Sequence, residues 1–227
     1  MKLPGLLVFC FQFMGFIAGF SQPKNHEIGI EGGPDTRILY GNEVLNSFHH
    51  LSVGYSGGLF YQYNHDRILS LRSNISIERK GSVWKGPTVD GGGQQNLSTE
   101  VHLYFQYLTL PLLVRATFGN SMKFVVNAGP YIGFLLQQTE VFKGTDGQSY
   151  RSNNTSLYKR FDWGISAGLG LSFPISEQFS LSMELRDNLG LYNIASGKVI
   201  NNGTIKNNST NFLFGMAYKF GKLTAPK

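Results

Sequence analysis

Between Phe161 and Phe173 the chain reads FDWGISAGLGLSF, and its side chains sort by parity. Phe161, Trp163, Ile165, Ala167, Leu169, Leu171 and Phe173 alternate with Asp162, Gly164, Ser166, Gly168, Gly170 and Ser172. A strand sends successive side chains to opposite faces, so this stretch is a strand with one apolar face and one small, polar face. A helical period would mix Trp163 with Asp162 and Ser166. In a soluble sandwich the second face would carry Lys, Glu and Thr into water. Gly and Ser instead ask for something packed closely above them. Aromatics at both ends of the apolar face, about one bilayer crossing apart, point to lipid outside and a narrow interior.

The same alternation recurs along the chain. Strands are predicted over His26–Gly33, Leu51–Tyr63, Ile68–Lys80, Val101–Phe118, Lys123–Leu136, Phe161–Phe173, Phe179–Leu191 and Asn211–Phe220. Within Val101–Phe118 the apolar phase slips between Tyr107 and Leu110, and Pro111 sits inside, which predicts a bulge. The connections alternate long and short. Pro34–His49, Gly81–Glu100, Gln137–Lys159 and Asn193–Ser209 read as polar, Gly- or Asn-rich loops, and the three other connections as tight turns. An even strand number with short turns at one rim and long loops at the other predicts an all-β, eight-stranded antiparallel up-and-down transmembrane β-barrel. A soluble lipocalin-like ligand-binding barrel is the alternative. It would turn the apolar faces inward and leave Gly and Ser on the outside.

Met1–Ser21 reads as a secretory signal peptide: Lys2, an apolar run from Leu6 to Ile17, and small residues before a cut after Ser21. Residues 22–227 then form the barrel domain. The one cysteine, Cys10, lies in the signal, so the mature chain holds itself together without disulfides. Charged residues are 15% of the chain and aromatics 14%, which suits a turn-rich β protein. The formal charge of +6 suits anionic headgroups, and no basic block or stacking motif points to nucleic acid. No remaining apolar run approaches the length of a spanning helix, a test that barrel strands escape.

Four segments resemble one family. They are Ile77-Glu78-Arg79-Lys80-Gly81, Tyr107-Leu108-Thr109-Leu110-Pro111-Leu112-Leu113, Gly129-Pro130-Tyr131-Ile132-Gly133 and Tyr218-Lys219-Phe220. As a set they are similar to the Bacteroidota-type outer-membrane β-barrel domain family, which includes PorT-like proteins. The resemblance implies an outer-membrane barrel without an assigned activity, inserted by the barrel-assembly machinery, in contact with outer-membrane lipid and with an envelope protein partner of a secretion or assembly system. One departure is the tail Gly221–Lys227, which follows the aromatic Phe220 where many barrels end.

An eight-stranded barrel is just wide enough for its side chains to fill it. Arg72, Glu78, Lys80, Arg115, Asp162, Glu184 and Arg186 all fall on the predicted interior face. Buried charges must pair, so four bases and three acids predict a structural network that plugs the lumen. A narrow ion path is the sharper alternative. Gly129, Gly133, Gly164, Gly168 and Gly170 are expected to leave room for Tyr131 and the long Arg side chains. His49 and His50, as neighbours on a strand, point apart and are expected in a solvated loop. His26, His65 and His102 show no ligand spacing, so no cofactor or metal site is predicted. A rim-located lipid hydrolase would need a Ser/His or Asp/His set, and no motif selects one; a non-enzymatic role is expected. Gly91-Gly92-Gly93 lacks the Lys-Ser/Thr and helix of a phosphate loop. Tyr55, Tyr61, Tyr63, Trp163, Phe173, Tyr192, Tyr218 and Phe220 are candidates for interfacial girdles.

Overall fold

The computed structural model describes residues 26–89, 95–143, 148–199 and 202–220. The predicted signal peptide, the Gly91–Gly93 run and the tail after Phe220 lie outside them. Eight strands form the wall: β1 (His26–Tyr40), β3 (Ser52–Asn64), β4 (Leu69–Val89), β5 (Gln95–Phe118), β6 (Lys123–Lys143), β8 (Phe161–Pro174), β9 (Phe179–Gly190) and β10 (Lys206–Phe220). Each pairs antiparallel with the next, and β1 pairs with β10 from His26↔Phe220 to Tyr40↔Lys206, closing the ring. The barrel is therefore up-and-down and free of open edges along its closing seam. Two short strands lie outside the ring: β2 (His49–His50) on β4 and β7 (Ser149–Asn153) on β6. Helix α1 (Glu43–Phe48) precedes β2 and is capped by the Asn42 side chain, which accepts from the Leu45 N–H.

Sidedness decides between lipid and water. Ile28, Ile30, Leu59, Ile75, Ile77, Val114, Ile132, Ile165, Leu169 and Phe214 are exposed around the outer wall, while Ser56, Asn127, Ser166 and Ser209 are buried inside. A belt of aliphatic side chains around the whole circumference needs an apolar solvent. This removes the soluble ligand-binding reading, which required the opposite orientation. β8 shows the rule directly, with Phe161, Trp163, Ile165 and Leu169 outward and Asp162, Gly164 and Ser166 buried.

Aromatics ring both ends of the belt. At the rim of short turns, His26 stacks on Tyr61 and Phe220, and Phe179 lies against Tyr218. Near the other rim Trp163 meets Tyr192, and Phe134 meets Phe161 edge-on. The short turns are locked locally: Asp66 accepts from the Ile68 and Leu69 N–H groups, and Ser176 from those of Gln178 and Phe179. Those two bonds lower the Asp66 carboxyl from its ordinary range.

Three expectations about boundaries are corrected. First, the wall strands outrun the predicted ones, because residues read as loop continue the ladders. β1 passes through Pro34 to Tyr40, and β4 and β5 stay paired from Gly81↔Tyr104 to Val89↔Gln95, forming an arm above the belt. Gly81, at φ +132°, takes the conformation at the foot of the arm that other residues resist. Second, β5 does not change phase. Phe105, Tyr107, Thr109, Leu113 and Arg115 are all buried on one face, and the register shift lies at Gln106/Tyr107 against β6. Third, Pro111 fits without a bulge of its own strand. The β4–β5 ladder simply omits partners between Ser73↔Leu112 and Ser76↔Thr109, where an N–H is missing.

A closed barrel of this kind should resist detergent until heated. Unboiled protein from outer membranes is expected to migrate faster on a gel than boiled protein. Gly168→Leu should reduce the fast band, since a Cβ there would stand 3.0 Å from both Glu184 Oε1 and Asn127 Oδ1, an overpacking cost of about 1–3 kcal/mol.

Candidate functional site

All seven charged residues expected inside are buried inside. They form two groups stacked along the barrel axis. In the group nearer the short turns, Arg186 lies between two carboxylates, its Nη1 2.8 Å from Glu31 Oε1 and its Nε 2.6 Å from Glu184 Oε1. Arg72 donates to the other oxygen of Glu31, and Arg115 reaches Glu184 Oε2 at 3.2 Å. Asn74 adds a bond to Glu31, and the Arg72 guanidinium lies 3.5 Å over the Phe60 ring.

In the second group Lys80 Nζ stands 3.1 Å from both Asp162 Oδ2 and the Tyr131 hydroxyl, and 3.9 Å from Glu78. Asn207 donates to Asp162 at 3.2 Å. Glu78 accepts from Thr109, Asn188, Ser209 and Asn211. Such dense bonding is what a carboxylate out of water requires. Glycines make part of the room. A Cβ at Gly133 would meet the Tyr107 ring at 3.2 Å, and one at Gly190 the Tyr131 hydroxyl at 3.0 Å. At Gly164 a Cβ would instead meet the β9 backbone, so that glycine serves strand approach rather than side-chain space.

Sequence reasoning missed three members. Glu31 supplies the fourth acid that four bases called for, and Asp35 and Arg37 are buried on the same strand. Glu31 was legible: Ile28 and Ile30 face out, so Glu31 had to face in. Asp35 and Arg37 lay beyond Pro34, where a loop was expected. The apolar stopper was missed entirely. Leu39, Phe105, Tyr107 and Leu135 meet Leu45 of α1 and Ile194 of the β9–β10 connection. They close the lumen at the rim of long connections.

The lumen is therefore not continuous. At the rim of short turns a cavity of about 680 Å³ opens outward and ends against Arg72 and Arg115. The space between the two ion groups, lined by Glu31, Glu78, Arg186 and Asn188, amounts to about 10 Å³. That is close to one water molecule.

Residues 15–196 match the sequence profile of the outer membrane protein beta-barrel domain. The chain belongs to that family. This outer-membrane barrel protein has no match among curated proteins. Solved structures similar to it include Neisserial surface protein A, at 12% identity over 88% of this chain and 100% of that one, with a TM-score of 0.48. Ail, the attachment invasion locus protein of Yersinia pestis, aligns at 13% identity over 86% and 99%, with a TM-score of 0.42. OprG from Pseudomonas aeruginosa aligns at 11% over 88% and 98%, with a TM-score of 0.43. The barrel family places the protein in the outer membrane, its short turns toward the periplasm and its long connections outside.

The histidines are corrected in part. His50 is exposed as expected, but His49 is buried, edge-on to Trp84 and hydrogen-bonded to Ser82. Ser82 is itself fully buried, so the pair anchors β2 to the arm and offers no accessible nucleophile. His26 bonds the Tyr61 hydroxyl at 2.6 Å, and His102 lies 3.1 Å from Glu100. Among the described residues no group of three His, Cys, Asp or Glu side chains is placed to hold a metal ion.

Burial, and then the charge of His50, lowers His49 to about 4 from 6.5. The unfolded chain takes up this proton near pH 6.5 and the folded one only near 4. The stability from neutral His49 is thus full above pH 6.5 and lost as pH falls through that window. Amide exchange over Leu45–His50, corrected for intrinsic rate, should accelerate between pH 7 and 4.5 while β8 stays protected.

For the interior, Glu31→Gln leaves three guanidiniums sharing one carboxylate. It should lower unfolding stability by about 3–5 kcal/mol in a urea titration in lipid or detergent. Lys85→Gln removes only the exposed 3.6 Å pair with Glu100 and should change stability by less than about 1 kcal/mol.

Proposed function

We propose that the protein is a non-enzymatic scaffold of the outer membrane, whose outer connections or periplasmic turns hold another envelope protein. The interior charge network acts as its structural plug. The PorT-like resemblance of the four segments above favours a place in a secretion or assembly system.

The observation that carries this reading is the blocked lumen. Two buried ion groups and an apolar stopper fill the barrel from the periplasmic cavity to the outer rim. The pocket of roughly 10 Å³ between the groups has room for about one water, which speaks against a narrow pore. What the protein offers its surroundings is the ordered outer surface: the β4–β5 arm, α1 with β2, β7 and the β9–β10 connection. These pieces are tied together. Asn42 donates to the Thr204 carbonyl, Thr204 to that of Gly41, and the Lys159 N–H to that of Ile194.

Tagged protein crosslinked in whole envelopes and purified is expected to bring down one envelope protein in near-stoichiometric amount. Planar bilayers holding the refolded barrel should stay silent. Discrete conductance steps would overturn the scaffold reading in favour of the pore, and steady turnover of phospholipid would overturn it in favour of the hydrolase.

A further inference from the structure

Among the described residues, the seam between β3 and β4 has a gap. β3 pairs with β1 up to Ser52, yet its ladder with β4 ends at Ser56↔Glu78. Above that pair β4 continues as the arm, bonded to β2 and β5 instead. The facing edges of Ser52–Tyr55 and of β4 between Glu78 and Val83 are left without each other. Arg37, only 1% exposed, fills the gap. Its guanidinium donates to the Arg79 carbonyl at 3.1 Å, the Val53 carbonyl at 2.9 Å and the Ser52 hydroxyl at 3.2 Å. Gly54 permits this, because a Cβ there would collide with Arg37 and Asp35.

On the outer side of the seam stands a second guanidinium, that of Arg79. It is partly exposed, and its Cζ lies 5.2 Å from the Tyr55 ring and 5.3 Å from the Tyr104 ring. Arg37 approaches the same Tyr104 ring at 5.2 Å. Two cations thus share one aromatic ring. Arg79 makes no ion pair among the described residues. The acid nearest Arg37 in sequence, Asp35, is buried at 2% exposure, and neither of its carboxylate oxygens is hydrogen-bonded to any of these residues. The site has an excess of positive charge on its open side.

Its height in the membrane says what faces it. Outward residues on β4 run Leu69, Leu71, Ile75 and Ile77 before Arg79. Ten residues at about 3.4 Å each, tilted by roughly 40°, rise about 26 Å, the thickness of the apolar band of such barrels. Arg79 is paired with Gln106, the first polar outward residue of β5 after Leu108. Both therefore lie where hydrocarbon gives way to headgroups, on the outer leaflet.

We propose that Arg79, framed by Tyr55 and Tyr104 and backed by Arg37, binds the phosphate of an outer-leaflet lipid headgroup. A planar guanidinium matches phosphate oxygens two at a time, and the tyrosines close the sides and present hydroxyls.

The test is native mass spectrometry of the refolded barrel in detergent, with four probes: bisphosphorylated lipid A, the same lipid stripped of its phosphates, phosphatidylglycerol and phosphate-free diacylglycerol. One phosphorylated lipid should stay bound. Retention should fall about tenfold when the phosphates are removed or in Arg79→Gln, the loss of one charge-assisted contact. Arg79→Lys should fall between, and Lys85→Gln should match the parent. Heat-dependent gel migration checks that each variant has folded. Lipid A bound more tightly than phosphatidylglycerol assigns a phosphomonoester; the reverse assigns a phosphodiester; either supports the site. Equal retention of stripped lipid or diacylglycerol, or full retention by folded Arg79→Gln, overturns it. So does release by millimolar inorganic phosphate, which would make the site one for the free ion.

Discussion

A guanidinium in a dry barrel is costly without acceptors to face, and Arg186 faces two carboxylates. By bridging Glu31 on β1 and Glu184 on β9 it brings Arg72 of β4 and Arg115 of β5 into one bonded set. The second set joins β4, β6, β8 and β10 through Lys80, Tyr131, Asp162, Glu78 and the asparagines. β3 enters through Ser56, which bonds Asn211, and through Phe60 beneath Arg72. Every strand of the ring is thus braced across the interior as well as along its ladders. Neighbouring strands of a barrel are held by the backbone whatever their sequence, so it is these side chains that fix one cross-section.

The bracing is neutral as a whole but not locally. Three guanidiniums meet two carboxylates in the lower set, and one ammonium meets two carboxylates in the upper. With Asp35 and Arg37 the buried interior holds five cations and five acids. The excess of each set is therefore answered by the other, a few side chains away along the axis. The periplasmic cavity ends on the positive side of this arrangement. Each set depends on the other for its charge balance, which ties the two halves of the wall together electrically.

Most of this was legible because a strand has a period of two and a membrane leaves no freedom about which face turns outward. Once Trp163 faced lipid, Asp162 had to face the lumen, and the same reasoning placed Arg72, Glu78, Lys80, Arg115, Glu184 and Arg186. It failed where breakers interrupted the pattern. Pro34 ended a predicted strand that in fact carries Asp35, Arg37 and Leu39 inward, since a proline is tolerated where its neighbour's ladder can spare a donor. Gly81, Gly86 and Pro87 likewise disguised the arm. The stopper was hidden for a different reason. Phe105 and Tyr107 are apolar residues on the interior face, and apolarity alone reads as lipid-facing. Only the contacts of Leu45 and Ile194, distant in sequence, show what they pack against.

The unclosed stretch between β3 and β4 bears on how such a wall would give way. Where the two ends of the chain meet, β1 and β10 are stitched from His26↔Phe220 to Tyr40↔Lys206. Between β3 and β4, joined by a tight turn, the stitching stops at Ser56↔Glu78, an arginine spans the gap, and β2 takes the ladder up again at His50↔Val83. Pulled from outside, the cylinder would part next to a hairpin and not at its termini. An opening that starts there is bounded above by the pairs of β2 with β4 and below by the hairpin ladder, and it leaves the closing seam intact.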